Sequence, residues 1–246
     1  MKLQIGSYNI MHAQVHEAYV KSGVKVINPE GVADVIAANG ALICGLNEVD
    51  VNAKRSFWTH APYQIAERLR AITGERYYWA YSPACHGFSG GGDSQYGNAL
   101  ISKYPIKTHK TVIVDAKVGK EPRSILVATV DVEGTMLTVI VTHIGFGRED
   151  VDLMLSLLKQ EIDASEYPVV LMGDFNLGAD QEEYATIASW LKDSSVDPFK
   201  PLTFPSNNLR GKIDFIFASP SLNPANARIA ETQQSDHVPL FATLEW

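Results

Sequence analysis

The chain has 246 residues, 46% of them hydrophobic and 20% charged, and a formal net charge of −7. This is the composition of a packed globule, and it excludes a generic polyanion binder, whose affinity comes mainly from Lys and Arg neutralising phosphates. The polar start MKLQIGSYNIMHAQ lacks a signal-peptide core, no apolar run reaches membrane-spanning length, and neither Cys44 nor Cys85 belongs to a CxxC pair; the expectation is a cytoplasmic enzyme with no transmembrane segment.

In chain order, KLQIGSYNI opens as a strand. NPEGVADVIAANG follows as a helix, with Asn28 as N-cap, Pro29 in the first turn and Gly40 as the stop. ALICGLNEV is a buried strand, apolar without alternation until Asn47 and Glu48. APYQIAERLRAITG is a second helix closed by Gly74, and YGNALISKYPI and TVIVDAK are strands with a break at Pro105. RSILVATVDVEGTMLTVIVTHIG predicts a hairpin turning at Glu133-Gly134. EDVDLMLSLLKQEIDAS is a third helix, with acids in the first turn where the helix dipole favours them. PVVLM is a strand, EEYATIASWLK a short helix, and KIDFIFAS, ARIAETQ and PLFATLEW are closing strands. Hairpins interrupted by helices argue for α/β layers with mixed sheets.

Chemically capable residues recur at the strand ends, where catalytic groups concentrate. They are Asn9, Glu48, Asn98, His143, Asp174, Asn176, Asp214, Asp236 and His237. The set holds carboxylates, amides and two imidazoles, with no nucleophilic Ser or Cys motif. Hard oxygen donors suit Mg²⁺ or Mn²⁺. Phosphoryl transfer to water needs a positioned water, a base and positive charge on the phosphate oxygens, and this set supplies those parts. Within GDFN, an extended chain would point Asp174 and Asn176 to one side and turn Phe175 into the packing; Gly173 would let the backbone turn tightly. His12 and His16 read as loop or rim residues, and FSGGGDSQYG (88–97) as a mobile loop beside the site.

The segments SYNI, LNEV, YGNALIS, EPR, VTHIG, GDFN, IDFIF and SDHVPL occur in that order. Together they resemble the endonuclease/exonuclease/phosphatase superfamily, which includes pancreatic deoxyribonuclease, exonuclease III-like repair enzymes, sphingomyelinases and inositol polyphosphate phosphatases. The resemblance runs from Ser7 to Pro239 and implies one catalytic domain over residues 1–246. It implies a four-layer α/β/β/α sandwich of two packed mixed β-sheets flanked by helices. It also implies roles. Glu48 resembles the family's metal carboxylate, with Asn9 and Asp236 completing the environment of Mg²⁺ or Mn²⁺. Asp174 and Asn176 resemble the pair that orients or deprotonates the attacking water. His237, held by Asp214, and His143 resemble the imidazoles on the phosphate side. Arg123 falls where some members carry a phosphate-contacting Arg, and Asn98 resembles a supporting polar residue near His143, on the substrate-phosphate side with Arg123, His143 and His237. Met11 stands where repair nucleases have an acid, and Asn47 where many members have Gln.

The expectation is a metal-dependent phosphoesterase acting on a small-molecule or lipid-derived phosphoester. The alternative is a nuclease; nucleic acid is a possible partner but is not favoured, because no Lys/Arg cluster lies near the motifs. A non-catalytic binding module would be expected to have lost Glu48, Asp174 or His237, and all three are present. Oligomeric state is left open.

Overall fold

The computed structural model describes residues 1–114 and 121–246. Among the described residues, twelve strands form two six-stranded sheets. The first has the order β11 (Ala225–Ile229), β12 (Leu240–Glu245), β1 (Lys2–Asn9), β2 (Ile43–Val51), β4 (Gln95–Ser102) and β3 (Tyr78–His86). The second has β5 (Ile106–Val114), β6 (Arg123–Val132), β7 (Thr135–His143), β8 (Val169–Asp174), β10 (Asp214–Ala218) and β9 (Lys192–Asp193). Each sheet is mixed: β1 pairs with β2 and β7 with β8 in parallel, and the other pairs are antiparallel.

The sheets face each other across Leu3, Ile5, Ile43, Val139, Val141 and Met172. Two further apolar layers cover the outer faces. Helices α2 (Pro29–Ala38) and α3 (Ala61–Thr73) bury Val32, Ile36, Ile65 and Leu69 against the first sheet. Helices α4 (Arg148–Asp163) and α5 (Glu182–Trp190) bury Met154, Leu158 and Ile187 against the second, beside Phe175, Phe215 and Phe217. The result is the four-layer sandwich that the family resemblance implied. α1 (His16–Ser22) stands apart, with none of its residues buried. No helix among the described residues is long and apolar enough to cross a membrane.

Local signals explain the boundaries. Asn28 Oδ1 accepts the Gly31 N–H at 2.9 Å and caps α2. Gly74 closes α3 at φ 73, a left-handed position that Gly adopts without a Cβ penalty. Glu133 and Gly134, at φ 53 and 92, give the β6–β7 hairpin the two left-handed residues that match strand twist.

Three elements escape the sequence pattern. β3 buries the small residues Ala80, Ser82 and Ala84 and turns Trp79 and Tyr81 outward, so its apolar bulk marks the wrong face. α1 has no buried stripe to read, and β9 has only two residues. The strand expected at ARIAETQ lies earlier, at Ala225–Ile229, with an irregular register between Ala225 and Arg228; the Gln233 carbonyl instead accepts from the Glu17 N–H of α1. Asp115–Lys117 of the expected TVIVDAK strand lie outside the described residues.

Candidate active site

Strand pairing brings the site together. The two parallel pairs end side by side, so Asn9 stands opposite Asn47 and His143 opposite Asp174. β10 runs antiparallel to β8 and places Asp214 opposite Asp174. The loop before β12 brings Asp236 and His237 to the same edge. Gly173 makes the β7–β8 pairing possible: a Cβ there would lie 1.8 Å from the Thr142 carbonyl oxygen. Its main role is therefore close approach between strands, beyond the tight turn expected from GDFN.

Asp174 is the hub. Its Oδ2 accepts from Asn9 Nδ2 at 2.9 Å and lies 3.5 Å from Nε2 of both His143 and His237. Its Oδ1 accepts the Asn176 N–H at 2.9 Å. Burial raises the Asp174 carboxyl, and the neighbouring Asp214 raises it further; His237 and the hydrogen bonds pull it back, leaving it at about 7. His237 Nδ1 lies 2.9 Å from Asp214 Oδ2, and Phe204 packs against the ring with centroids 4.7 Å apart. Burial pushes this imidazole down, but Asp214 and Asp174 outweigh it and lift it to about 10. At neutral pH His237 is thus an imidazolium between two acids.

His143 is the opposite case. Burial, and then the Arg123 and His237 cations, hold it well below the usual histidine range, so it is neutral. Its Nε2 lies 3.0 Å from Asn176 Nδ2, and the same amide nitrogen donates to the Ile144 carbonyl at 2.9 Å. The amide therefore presents its donor end, and His143 Nε2 accepts. Asn176 reaches this position from a left-handed backbone (φ 52), not from the extended chain expected from its spacing, while Phe175 is buried as that reading required.

Glu48 lies where the β2–β4 register breaks between Leu46 and Val49, at φ 54. Such a bulge re-aims a side chain out of the ladder. Glu48 Oε1 accepts from Asn9 Nδ2 at 3.0 Å. Burial raises its carboxyl, Asn9 opposes this, and Asp236 and Glu121 add to the rise. Asp236 is half-buried, with Oδ1 3.1 Å from Ser235 Oγ. Arg123 is buried, and its Nη1 donates to Glu121, which also accepts from the Tyr96 hydroxyl. Asn98 has both amide ends engaged, accepting from Asn47 Nδ2 at 2.8 Å and donating to the Ser124 carbonyl at 2.7 Å. It braces the site from behind.

Sequence reasoning missed three contributors. Buried Asn47 donates to Asn98 Oδ1 and to the Thr142 carbonyl, both at 2.8 Å, and accepts the Asp174 N–H at 2.9 Å, tying β2 to the opposite sheet. Ser235 Oγ donates to the Asn9 carbonyl at 2.7 Å; its place beside Asp236-His237 was the available signal. Phe204 carries no sequence mark. Nearby, Met11, His12 and Ala13 form a left-handed run at φ 46, 48 and 61, and His16 begins α1, so neither histidine lies in a plain loop. In the 88–97 segment, Phe88 stacks on Tyr96 at 4.9 Å with Arg55 over both rings, which ties its start to the sheet.

Comparison with solved structures shows the same fold. An endonuclease/exonuclease/phosphatase from Beutenbergia cavernae aligns with a TM-score of 0.77 at 22% identity, over 99% of this chain and 71% of that one. The Bacteroides thetaiotaomicron mannosyl-6-phosphatase aligns at 0.73 and 17% identity, over 99% and 100%. The human Nocturnin catalytic domain, solved with a bound sulfate anion, aligns at 0.69 and 19% identity, over 99% and 93%. No curated protein sequence matches the chain. A family model matches residues 6–237, nearly the whole length, and the chain belongs to the Endonuclease/Exonuclease/phosphatase family.

Proposed function

We propose that this chain is a divalent-metal-dependent phosphoric ester hydrolase. The observation that carries this reading is the Asp174 hub: one desolvated carboxylate within reach of Asn9, His143 and a cationic His237 whose other nitrogen is held by Asp214. Asp174 and Asn176 orient a water, and Asp174 takes its proton. His237 donates Nε2–H to a non-bridging phosphate oxygen and balances charge that grows there. The paired Arg123 guanidinium adds a second positive charge.

The donors fit a hard cation. Glu48 is desolvated and close to a second acid, Asp236, an arrangement that a divalent ion offsets. We assign the metal to Glu48, Asp236 and Asn9; Mg²⁺ or Mn²⁺ held there would neutralise phosphate charge and lower the pKa of a bound water. Asp174, Asp214 and His237 also lie close enough together to suggest a cation cage. His237 Nδ1 faces Asp214 and its Nε2 faces Asp174, so this trio reads as a proton relay.

A small-molecule or lipid-derived phosphoester is the favoured substrate. The mannosyl-6-phosphatase likeness agrees with phosphomonoester chemistry on this fold. With Mg²⁺ the protein should hydrolyse bis-p-nitrophenyl phosphate, and EDTA should abolish the reaction. Glu48→Ala and His237→Ala should each lower kcat by about 10²-fold or more. Full activity in either variant would overturn the site assignment, and rapid plasmid nicking at catalytic concentrations would favour the nuclease reading.

A further inference from the structure

The strand ends that carry the site also launch a set of loops, and these loops hold much of the molecule's misplaced apolar surface. After β1, the segment 10–28 carries Val20 and Val24, 53% and 54% exposed. After β2, the loop 52–60 carries Phe57 and Trp58, 58% and 61% exposed. Between β3 and β4 lies exposed Phe88, and before β10 lies exposed Phe199.

Two features show that the apolar side chains are held outward. Phe57 and Trp58 have φ 54 and 56, a left-handed backbone that is costly for bulky residues. Hydrogen bonds fix it: Phe57 N–H to the Lys54 carbonyl at 3.1 Å and Trp58 N–H to the Ala53 carbonyl at 2.9 Å. Beneath them Ala53 and Ser56 fill the core side of the turn. The loop thus spends conformational energy to face two aromatics to water. α1 is the second feature, a helix with no buried residue that exposes Tyr19 and Val20. Half-buried Lys25 and exposed Lys54 stand among these side chains, and half-buried Arg55 lies near Glu48.

We propose that this edge docks on a phospholipid surface, so that the site takes a phosphoester carried by a lipid. Apolar tips interleaved with lysines suit the boundary between headgroups and acyl chains, with ammonium groups at the level of the lipid phosphates. A single-stranded nucleic acid fits less well. Val20 and Val24 offer no face on which a base can stack, and Arg55, beside the aromatics, is already paired with Asp50. The lipid-borne substrate rests on the hydrolase reading above; the docking itself does not.

The test is cosedimentation of the full chain with unilamellar vesicles of phosphatidylcholine and phosphatidylglycerol in EDTA. The wild-type chain should partition to the vesicles. Phe57→Asn/Trp58→Asn, which suits the left-handed turn, and independently Val20→Ser/Val24→Ser, should each weaken partitioning by about tenfold or more. Both pairs should hydrolyse soluble bis-p-nitrophenyl phosphate at the wild-type rate. The proposal is overturned if the wild-type chain ignores vesicles, if both pairs bind as well as wild type, or if the same residues instead govern binding to a single-stranded oligonucleotide or self-association. Vesicle binding by a chain that hydrolyses no phosphoester with Mg²⁺ would sustain the docking and remove the hydrolase reading.

Discussion

His237 carries a proton where burial alone would remove it, and two carboxylates reverse the outcome. The sign follows from linkage. Its folded pKa of about 10 lies above the ordinary value of 6.5, so its pairing stabilises the fold fully below pH 6.5, and that contribution is lost as pH rises to about 10. Urea unfolding in EDTA should show wild type losing a few kcal/mol over that window, with a smaller loss in His237→Asn. Turnover should persist above neutrality, because Asp214 and Asp174 hold the proton on the imidazole past its ordinary range. A rate that collapses between about pH 6.5 and 8 would show that Asp214 and Asp174 do not hold the proton. Asn47 tests a different cost. Asn47→Ala leaves the Asp174 N–H and the Thr142 carbonyl without their partner and should cost about 2 kcal/mol in denaturant unfolding. Most members of this cluster were legible as residue types at strand ends. The direction of each amide was not, because which end of Asn176 faces His143 depends on the Ile144 carbonyl, a backbone group that no side-chain pattern marks.

Pairing geometry sets the limits at the scale of the element. Gly173 lies at φ 151 against the Thr142 carbonyl, so Gly173→Ala must push β8 from β7 at the point where His143 meets Asp174. The variant should lose about 3 kcal/mol or more, and activity should fall further than the unfolded fraction accounts for, as measured by kcat on the folded population. A loss of stability with kcat intact would show that the register does not depend on this contact. β1, β2, α2, α3 and the β6–β7 hairpin were readable because period, cap and turn residues agree at each. β3 was not, since its residues facing the other sheet are small and its aromatics lie on the helix-side face, where Tyr81 packs into the outer apolar layer. The bulge at Glu48 was invisible for a related reason: nothing in LNEV distinguishes a straight strand from one that breaks register after Leu46.

At the scale of the whole molecule, the two parallel pairs bring their strand ends to one edge of the sandwich, and the long loops are rooted there. The order of the first sheet adds a consequence in time. β12 lies between β11 and β1, so the chain's last strand pairs with its first, from Lys2 opposite Glu245 to Ser7 opposite Leu240. While the protein is being synthesised, β1 can find β2 early but must keep its other edge unpaired until residues 240–245 have emerged. An unpaired edge invites association with other chains, and contacts this distant in sequence form slowly. Asp236 and His237 arrive in the same segment as β12, so until then the nascent chain holds an open strand and an incomplete residue cluster together, and the pairing of β12 closes both.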